Sequence, residues 1–338
     1  MGKRKRITIT DVARLAGVSK QTVSRVINDR PDVADQTRSR VKAVIDKLNY
    51  SPDPIARSMK GLTHTFGLIT PNLLECNFSS IVQAAQMKAR ENGYFILTGS
   101  AEVESEVPPL LNEMIDRRID GLLIINPRDD GRYHYLSPLF RQNIPIVYIK
   151  NTPLDASISA VCLDNTKGGY LATHHLIEAG HTEIAMIQGP PNEERSQYRR
   201  TGFGQAFQEA NLLINPGLIL QGDWTAKSGQ TAVENALAHH WDFTALFAQN
   251  DRMAVGAIHA IRQAGRQVPK DISVIGYDDI LLASYIDPPL TTIHQPFEEF
   301  GRLSAELLIE AVTQDDFQPR VVQLDPKLII RDSCCSLG

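Results

Sequence analysis

The chain has 338 residues, 42% of them hydrophobic and 22% charged, enough to bury more than one core without disulfide or metal staples. No apolar run approaches the ~18 residues of a membrane helix, and the basic start Met1-Gly-Lys-Arg-Lys-Arg6 lacks the apolar segment of a signal peptide behind it, so the chain is expected to stay in the cytoplasm. Its net charge of −4 is unevenly spread: residues 1–60 hold fourteen lysines and arginines against six aspartates, a surplus of +8, which leaves −12 on the remainder. A basic module joined to an acidic body suggests a polyanion-binding surface at one end only, although a solvated basic tail gives the same totals. Cys76, Cys162, Cys334 and Cys335 have no metal-ligand spacing and fit a reducing compartment.

Thr8-Ile-Thr-Asp11 has the form of a helix start, with Thr8 placed to cap and Asp11 to reciprocate, and Val12, Leu15 and Ala16 lining one face. Gly17 supplies the left-handed conformation of a tight C-terminal turn, and Ser19 can cap a second helix from Lys20 to Ile27. A third run, Asp35 to Leu48, sets Val41, Val44, Ile45 and Leu48 at helical spacing, so three short helices can close one small core. This is a helix-turn-helix pattern, in which the second helix enters the major groove of double-stranded DNA. On that helix Lys20, Gln21 and Arg25 project away from the face of Val23, Val26 and Ile27, and amide or cationic side chains suit purine edges. Thr22, Ser24 and Asn28 are read as phosphate contacts, Ser19 as dividing its hydroxyl between cap and phosphate, and Thr8 is counted with the DNA-facing residues.

The run Ile9-Thr-Asp-Val-Ala-Arg-Leu-Ala-Gly-Val-Ser-Lys-Gln-Thr-Val-Ser-Arg-Val-Ile-Asn28 resembles the headpiece of the lactose-repressor (LacI/GalR) family. The resemblance continues through Val41 to Leu48 and into Asn49-Tyr-Ser-Pro-Asp-Pro-Ile-Ala-Arg-Ser-Met-Lys-Gly61. In that family the last segment is a hinge that folds into a short helix on the operator and wedges an apolar residue, usually leucine, into the minor groove. The resemblance implies that Met59 is the wedge, a flexible apolar side chain able to unstack a base step, and that Ala56 lets two hinge helices pack closely in a dimer. Pro54 departs from the family, and the first turn of a helix tolerates it. A plain disordered linker accounts equally well for the free protein. The implied divisions are a headpiece at 1–49, a hinge at 50–64 and an effector-binding and dimerisation domain at 65–338.

From Thr65 onward short apolar runs alternate with helical stretches. They are Phe66 to Thr70, a helix from Ser79 to Asn92, Tyr94 to Leu97, a helix from Val107 to Arg118, and Gly121 to Ile125. The rhythm resumes with Ile144 to Tyr148, a helix from Thr166 to Gly180, Glu183 to Ile187, Thr244 to Ala248 and Ile272 to Gly276. It predicts βαβ units and two open parallel sheets, an α/β class. Ligands of such sheets bind beyond the carboxyl ends of the strands, which directs attention to the residues after Ile69, Ile187, Ala248 and Gly276. GxGxxG, P-loop, HExxH and GxSxG signatures are all missing, so neither an enzyme nor a cofactor or metal is expected. Asn250-Asp251, Tyr277-Asp278-Asp279, Arg199 and Trp224 instead stand near strand ends. Carboxylates, an amide and an arginine can take several hydroxyls while an indole covers the apolar side of a sugar ring. Taken singly, each aspartate could be a loop cap and Trp224 could belong to a core.

The stretch Phe66 to Ser333 is similar to the effector domain of the same family and to periplasmic sugar-binding proteins. The likeness is carried by Gly121-Leu-Leu-Ile, His181-Thr-Glu-Ile-Ala, Asn250 to Ala257, Val268 to Asp279 and Pro289 to Pro296. It implies a periplasmic-binding-protein-like domain of two Rossmann-like lobes, one at approximately 65–163 with 293–323 and one at 164–292 with 324–333. The chain would then cross between lobes near Asp164, Ile293 and Leu324. Carried over position by position, Arg199, Trp224, Asn250 and Asp278 line an effector cleft, with Asn77 and Asp164 as further members. Family proteins often read Asn-Pro-Phe-Phe where this chain has Glu75-Cys-Asn-Phe78, so an aromatic contact becomes the polar Asn77. The sequence ends at Asp332-Ser-Cys-Cys-Ser-Leu-Gly338 without heptads, and a homodimer is expected rather than a tetramer. Together these features imply a repressor whose operator affinity is set by a sugar or related metabolite. The alternative is a solute-binding protein or sugar-acting enzyme with a basic tail.

Overall fold

The computed structural model describes residues 7–27, 30–48, 50, 62–125, 133–150, 152–153 and 155–337. They divide into two compact units, Met1–Thr63 and His64–Gly338.

The first unit contains the helices α1 (Ile9–Ala16), α2 (Lys20–Ile27) and α3 (Asp35–Leu48). Thr8 and Asp11 form the reciprocal capping box of α1, the Asp11 carboxylate accepting from the Thr8 N–H at 3.0 Å and from its hydroxyl at 2.8 Å. Gly17 ends α1 at φ 65°, a conformation that costs an L-residue strain and glycine none. Two residues later the Ser19 hydroxyl accepts the Thr22 N–H at 3.0 Å and starts α2. The three helices bury Val12, Ala13, Ala16, Val23, Val26, Val33 and Val41, with Ile9, Ile27, Val44, Ile45 and Leu48 packed around them. Leu15 does not join this core and is 57% exposed. At about 100° per residue, Val12, Ala13 and Ala16 share one arc of α1 and Leu15 falls outside it, so Ala13 takes the place expected for Leu15.

In the second unit β1 (Thr65–Thr70), α4 (Cys76–Glu91), β2 (Phe95–Ser100), α5 (Val107–Asp116), β3 (Gly121–Ile125), α6 (Ser137–Arg141), β4 (Ile146–Ile149) and β5 (Ser159–Leu163) come first. They are followed by α7 (Asn165–Glu178), β6 (Ile184–Gln188), α8 (Glu194–Glu209), β7 (Ile219–Gln221), α9 (Ala226–Ala238), β8 (Ala245–Ala248), α10 (Asp251–Gln263), β9 (Ser273–Asp278) and β10 (Thr291–His294). The helix α11 (Phe297–Thr313) and the strands β11 (Val321–Leu324) and β12 (Lys327–Ile329) complete it. One sheet has the order β11-β5-β4-β3-β1-β2 and the other β12-β10-β9-β8-β6-β7, which makes two lobes. Strands β3, β4, β5, β6, β8 and β9 are buried along their whole length, which is why they read as unbroken apolar runs rather than as alternating ones.

The chain crosses between lobes three times, after Leu163, after His294 and after Leu324. Ile293 and His294 therefore end a strand of the second sheet, and Leu324 ends a strand of the first. Not every strand is parallel. Strand β10 runs toward the first lobe and β12 returns from it after a two-residue passage, so β12 pairs antiparallel with β10 while the other neighbours are parallel.

Helices α7 and α8 cross at glycines. A Cβ on Gly202 would lie 1.9 Å from the Thr166 carbonyl oxygen, and one on Gly169 would lie 2.1 Å from that of Arg199. Without side chains there the two backbones touch, which fixes Arg199 of α8 against Asn165 at the start of α7. Among the described residues no helix is long and apolar enough to cross a membrane.

Candidate functional site

Two surfaces carry the residues singled out by the sequence. On α2, Lys20, Gln21 and Arg25 are exposed, while Val23 and Val26 are buried beneath them. The Arg25 guanidinium lies 3.3 Å from the Asp32 carboxylate, both of them about half exposed, so this pair can open toward another anion. Ser19 and Thr22 share a hydrogen bond of 2.9 Å between their hydroxyls, and Ser24 is half-buried. The Thr8 hydroxyl is held by Asp11. Asn28, Ala56 and Met59 lie outside the described residues.

The second surface is a cleft of about 550 Å³ in the second unit, formed at the carboxyl ends of strands of both sheets. Its lining includes Asn77, Arg199, Trp224, Asn250 and Asp278, five of the six expected residues. Asp164 is not among the lining residues. It is the N-cap of α7, its carboxylate accepting the Lys167 N–H at 2.8 Å, and its buried neighbour Asn165 is the residue that bonds to Arg199.

Arg199 is 2% exposed and is the largest fully buried side chain. Its Nε donates to Asn165 Oδ1 at 2.9 Å, its Nη1 donates to the Gln249 carbonyl, and its guanidinium stacks 3.6 Å from the centre of the Tyr277 ring. Nη1 also lies 4.0 Å from Asp278 Oδ1, so a ligand hydroxyl between them would have a donor on one side and an acceptor on the other. Asp278 accepts from Gln295 Nε2 and closes β9 at φ 115°. Trp224 at φ 74° and Lys150 at φ 76° share this strained backbone habit, which clusters at binding sites.

The indole of Trp224 is pinned from several sides. Its Nε1–H donates to Glu193 Oε1 at 3.0 Å, and the Arg195 guanidinium, itself 2.6 Å from Glu193 Oε2, lies 4.8 Å from the indole centre. The ring occupies the space a side chain on Gly189 would need, since a Cβ there would stand 2.3 Å from it. Asn250 caps α10 by accepting the Met253 N–H at 2.9 Å and ties down the Trp224 carbonyl at 3.0 Å. Behind the site Asp251 is fully buried, accepting from the Ile280 N–H at 2.8 Å and from Thr292, and burial holds its carboxyl well above the usual range. Across the cleft mouth Arg252 of the second lobe meets Glu75 of the first at 2.6 Å.

Several cleft residues are absent from the sequence-based set, above all Lys150, Glu193 and Arg195. Lys150 directly follows β4, so the strand-end rule that points to Ile69, Ile187, Ala248 and Gly276 reaches it when applied to Ile149 as well. Glu193 and Arg195 act by bracketing the indole, an arrangement that no linear motif carries. Among the described residues no group of His, Cys, Asp and Glu could hold a metal ion.

Each unit matches a known family model. Residues 8–53 match the model of bacterial regulatory proteins of the lacI family, and residues 173–334 match that of the periplasmic binding protein-like domain. The chain is 39% identical over 331 residues to the HTH-type transcriptional repressor PurR of Aliivibrio fischeri, covering 96% of this chain and 98% of that protein. It is 38% identical over 328 residues to the ribose operon repressor of Escherichia coli, covering 96% and 99%. Among solved structures it is similar to the lac repressor dimer bound to operator and the anti-inducer ONPF, with a TM-score of 0.88, 30% identity and coverage of 98% and 100%. The cellobiose complex of the transcriptional regulator CelR aligns with a TM-score of 0.75 at 33% identity, over 97% and 100%. The chain belongs to the lacI family of bacterial regulatory proteins, DNA-binding transcriptional regulators that join a helix-turn-helix unit to a periplasmic-binding-protein-like domain.

Proposed function

We propose that the chain is a cytoplasmic homodimeric repressor that reads an operator with α2 and changes its grip when a sugar-like metabolite occupies the cleft. It turns over no substrate. The observation that carries the DNA-reading half is the exposure of Lys20, Gln21 and Arg25 on one helix whose other face closes the core. In this reading Ser19, Thr22, Ser24 and Asn28 meet phosphates, Ala56 and Met59 serve the hinge, and Thr8 holds the start of the first helix. Arg199, Asp278, Asn250 and Trp224 hold the effector from the second lobe and Asn77 holds it from the first. The Arg252 to Glu75 pair joins the lobes and would respond to closure. Self-association is supported by apolar side chains left open on the second unit, with Leu281 77% and Tyr285 76% exposed.

The test is selection from random duplexes with the full chain, followed by binding assays on the winning sequence. Arg25→Ala should relax the preference at the base position it reads, costing roughly 1–3 kcal/mol there, while binding to any duplex should weaken with salt by a slope of about −0.9 per neutralised phosphate. A chain that selects no sequence, with metabolites present or withheld, refutes the reading.

A further inference from the structure

We propose that the effector carries an anionic group, a carboxylate or a phosphate on a polyhydroxylated body, and that this group seats against Lys150; the inference rests on the reading of the cleft as an effector site. Lys150 lines the cleft and is 6% exposed. Among the described residues, no carboxylate stands within ion-pairing distance of its ammonium and no acceptor bonds to it. Its Nζ lies instead 5.7 Å from the centre of the Phe78 ring and 5.1 Å from that of Phe297. Ring faces offset only part of the cost of holding an ammonium out of water.

The carboxylates whose fields reach Lys150 are engaged elsewhere. Glu75 pairs with Arg252 at 2.6 Å, and Asp278 accepts from Gln295 while facing Arg199 at 4.0 Å. Glu193, another carboxylate of the cleft lining, is held by Arg195 at 2.6 Å. A second polar group in the cleft is also unanswered: Thr70 Oγ1, at the end of β1 on the same sheet edge, is fully buried without a hydrogen-bond partner. Burial pushes the Lys150 ammonium down to about 7, with Arg195 and Arg199 adding repulsion against the pull of Asp278 and Glu75. An arriving anion supplies the missing opposite charge inside the same water-poor pocket. A neutral sugar could satisfy Arg199, Asp278 and Asn250 and would still leave Lys150 uncompensated. The space of about 550 Å³ admits a monosaccharide or nucleoside body with such a group attached.

The full chain is titrated by calorimetry and tryptophan fluorescence with pairs that differ only in charge. These are ribose and its terminal phosphate, glucose with its terminal phosphate and its aldonate, and adenosine with its monophosphate. At least one anionic member should bind roughly ten-fold or more tightly than its neutral parent, the scale of a charge-assisted contact. Phosphate and carboxylate members of the panel separate the two sources of charge. Lys150→Met should remove this preference, so that within the variant the anionic member binds no more tightly than its neutral parent, and Lys150→Arg should keep part of it. A thermal melt of each variant verifies folding. The inference is overturned if no anionic member binds, if parents bind as tightly, or if Lys150→Met retains the preference. A neutral ligand that binds at least as tightly as its anionic partner, and whose binding is lost in Arg199→Lys, would overturn it while leaving the effector-cleft reading intact.

Discussion

Gly202→Ala tests the idea that glycine contacts between helices hold the cleft in register. The added Cβ would meet the Thr166 carbonyl oxygen at 1.9 Å, whereas real Cβ contacts essentially never fall under 3.0 Å, so α7 and α8 must part by ~1 Å. Overpacking of this kind costs about 1–3 kcal/mol, and the upper end applies because the obstacle is backbone rather than a flexible side chain. Replacing glycine by alanine inside a helix returns about 1 kcal/mol, leaving a net loss of ~2 kcal/mol. For a unit of this size that lowers the melting midpoint by roughly 3–4 °C. Gly204→Ala is the internal control. It lies two residues further along α8, and the nearest atom to its added Cβ is Ile214 Cδ1 at 3.9 Å. It should gain up to ~1 kcal/mol from the same helix preference. Thermal and urea unfolding of the two variants should therefore move in opposite directions. Gly202→Ala should also weaken ligand binding, because Arg199 rides on the displaced helix and loses its 2.9 Å bond to Asn165. Equal shifts in both variants, or a Gly202→Ala protein melting at or above the parent, would refute the reasoning.

Two further perturbations address the cleft and the headpiece. The folded-state value of Lys150, about 7, lies below the 10.5 of a free lysine, so the unfolded chain holds this proton more tightly between those values. Its contribution makes stability climb as pH rises through that window. Lys150→Met should flatten the climb and raise stability near neutrality; unfolding curves that stay parallel from pH ~7 to ~9 would contradict the burial argument. Ser19→Ala removes the acceptor for the Thr22 N–H and should cost ~1 kcal/mol, speeding hydrogen exchange at the start of α2 about five-fold; unchanged exchange there would mean that the cap contributes nothing.

Much of this architecture is written locally. The Thr8 to Asp11 box, Gly17 and the Ser19 cap are set by neighbours within a few residues, and the buried strands are legible because the parallel sheets cover both faces of each. Leu15 is harder to read, since apolar character on a short helix does not say which arc meets the core. The cleft was legible where a polar residue follows an apolar strand, as with Asn250 and Asp278. It was not legible where function comes from packing across the chain, as with the Glu193 and Arg195 clamp on Trp224. Asp164 illustrates the opposite ambiguity: a carboxylate beside a strand end is also the best residue to start a helix, and here it caps α7.

The triple passage between sheets makes the lobes interleaved in the gene. A fragment ending at residue 163 would lack α11, which packs against α4, and β11, which pairs with β5 at the sheet edge. Neither lobe can be moved between proteins as a cassette. Ligand preference in this architecture is therefore open to change by single replacements around the cleft, while the headpiece, contiguous and ending before His64, is the portion suited to grafting whole.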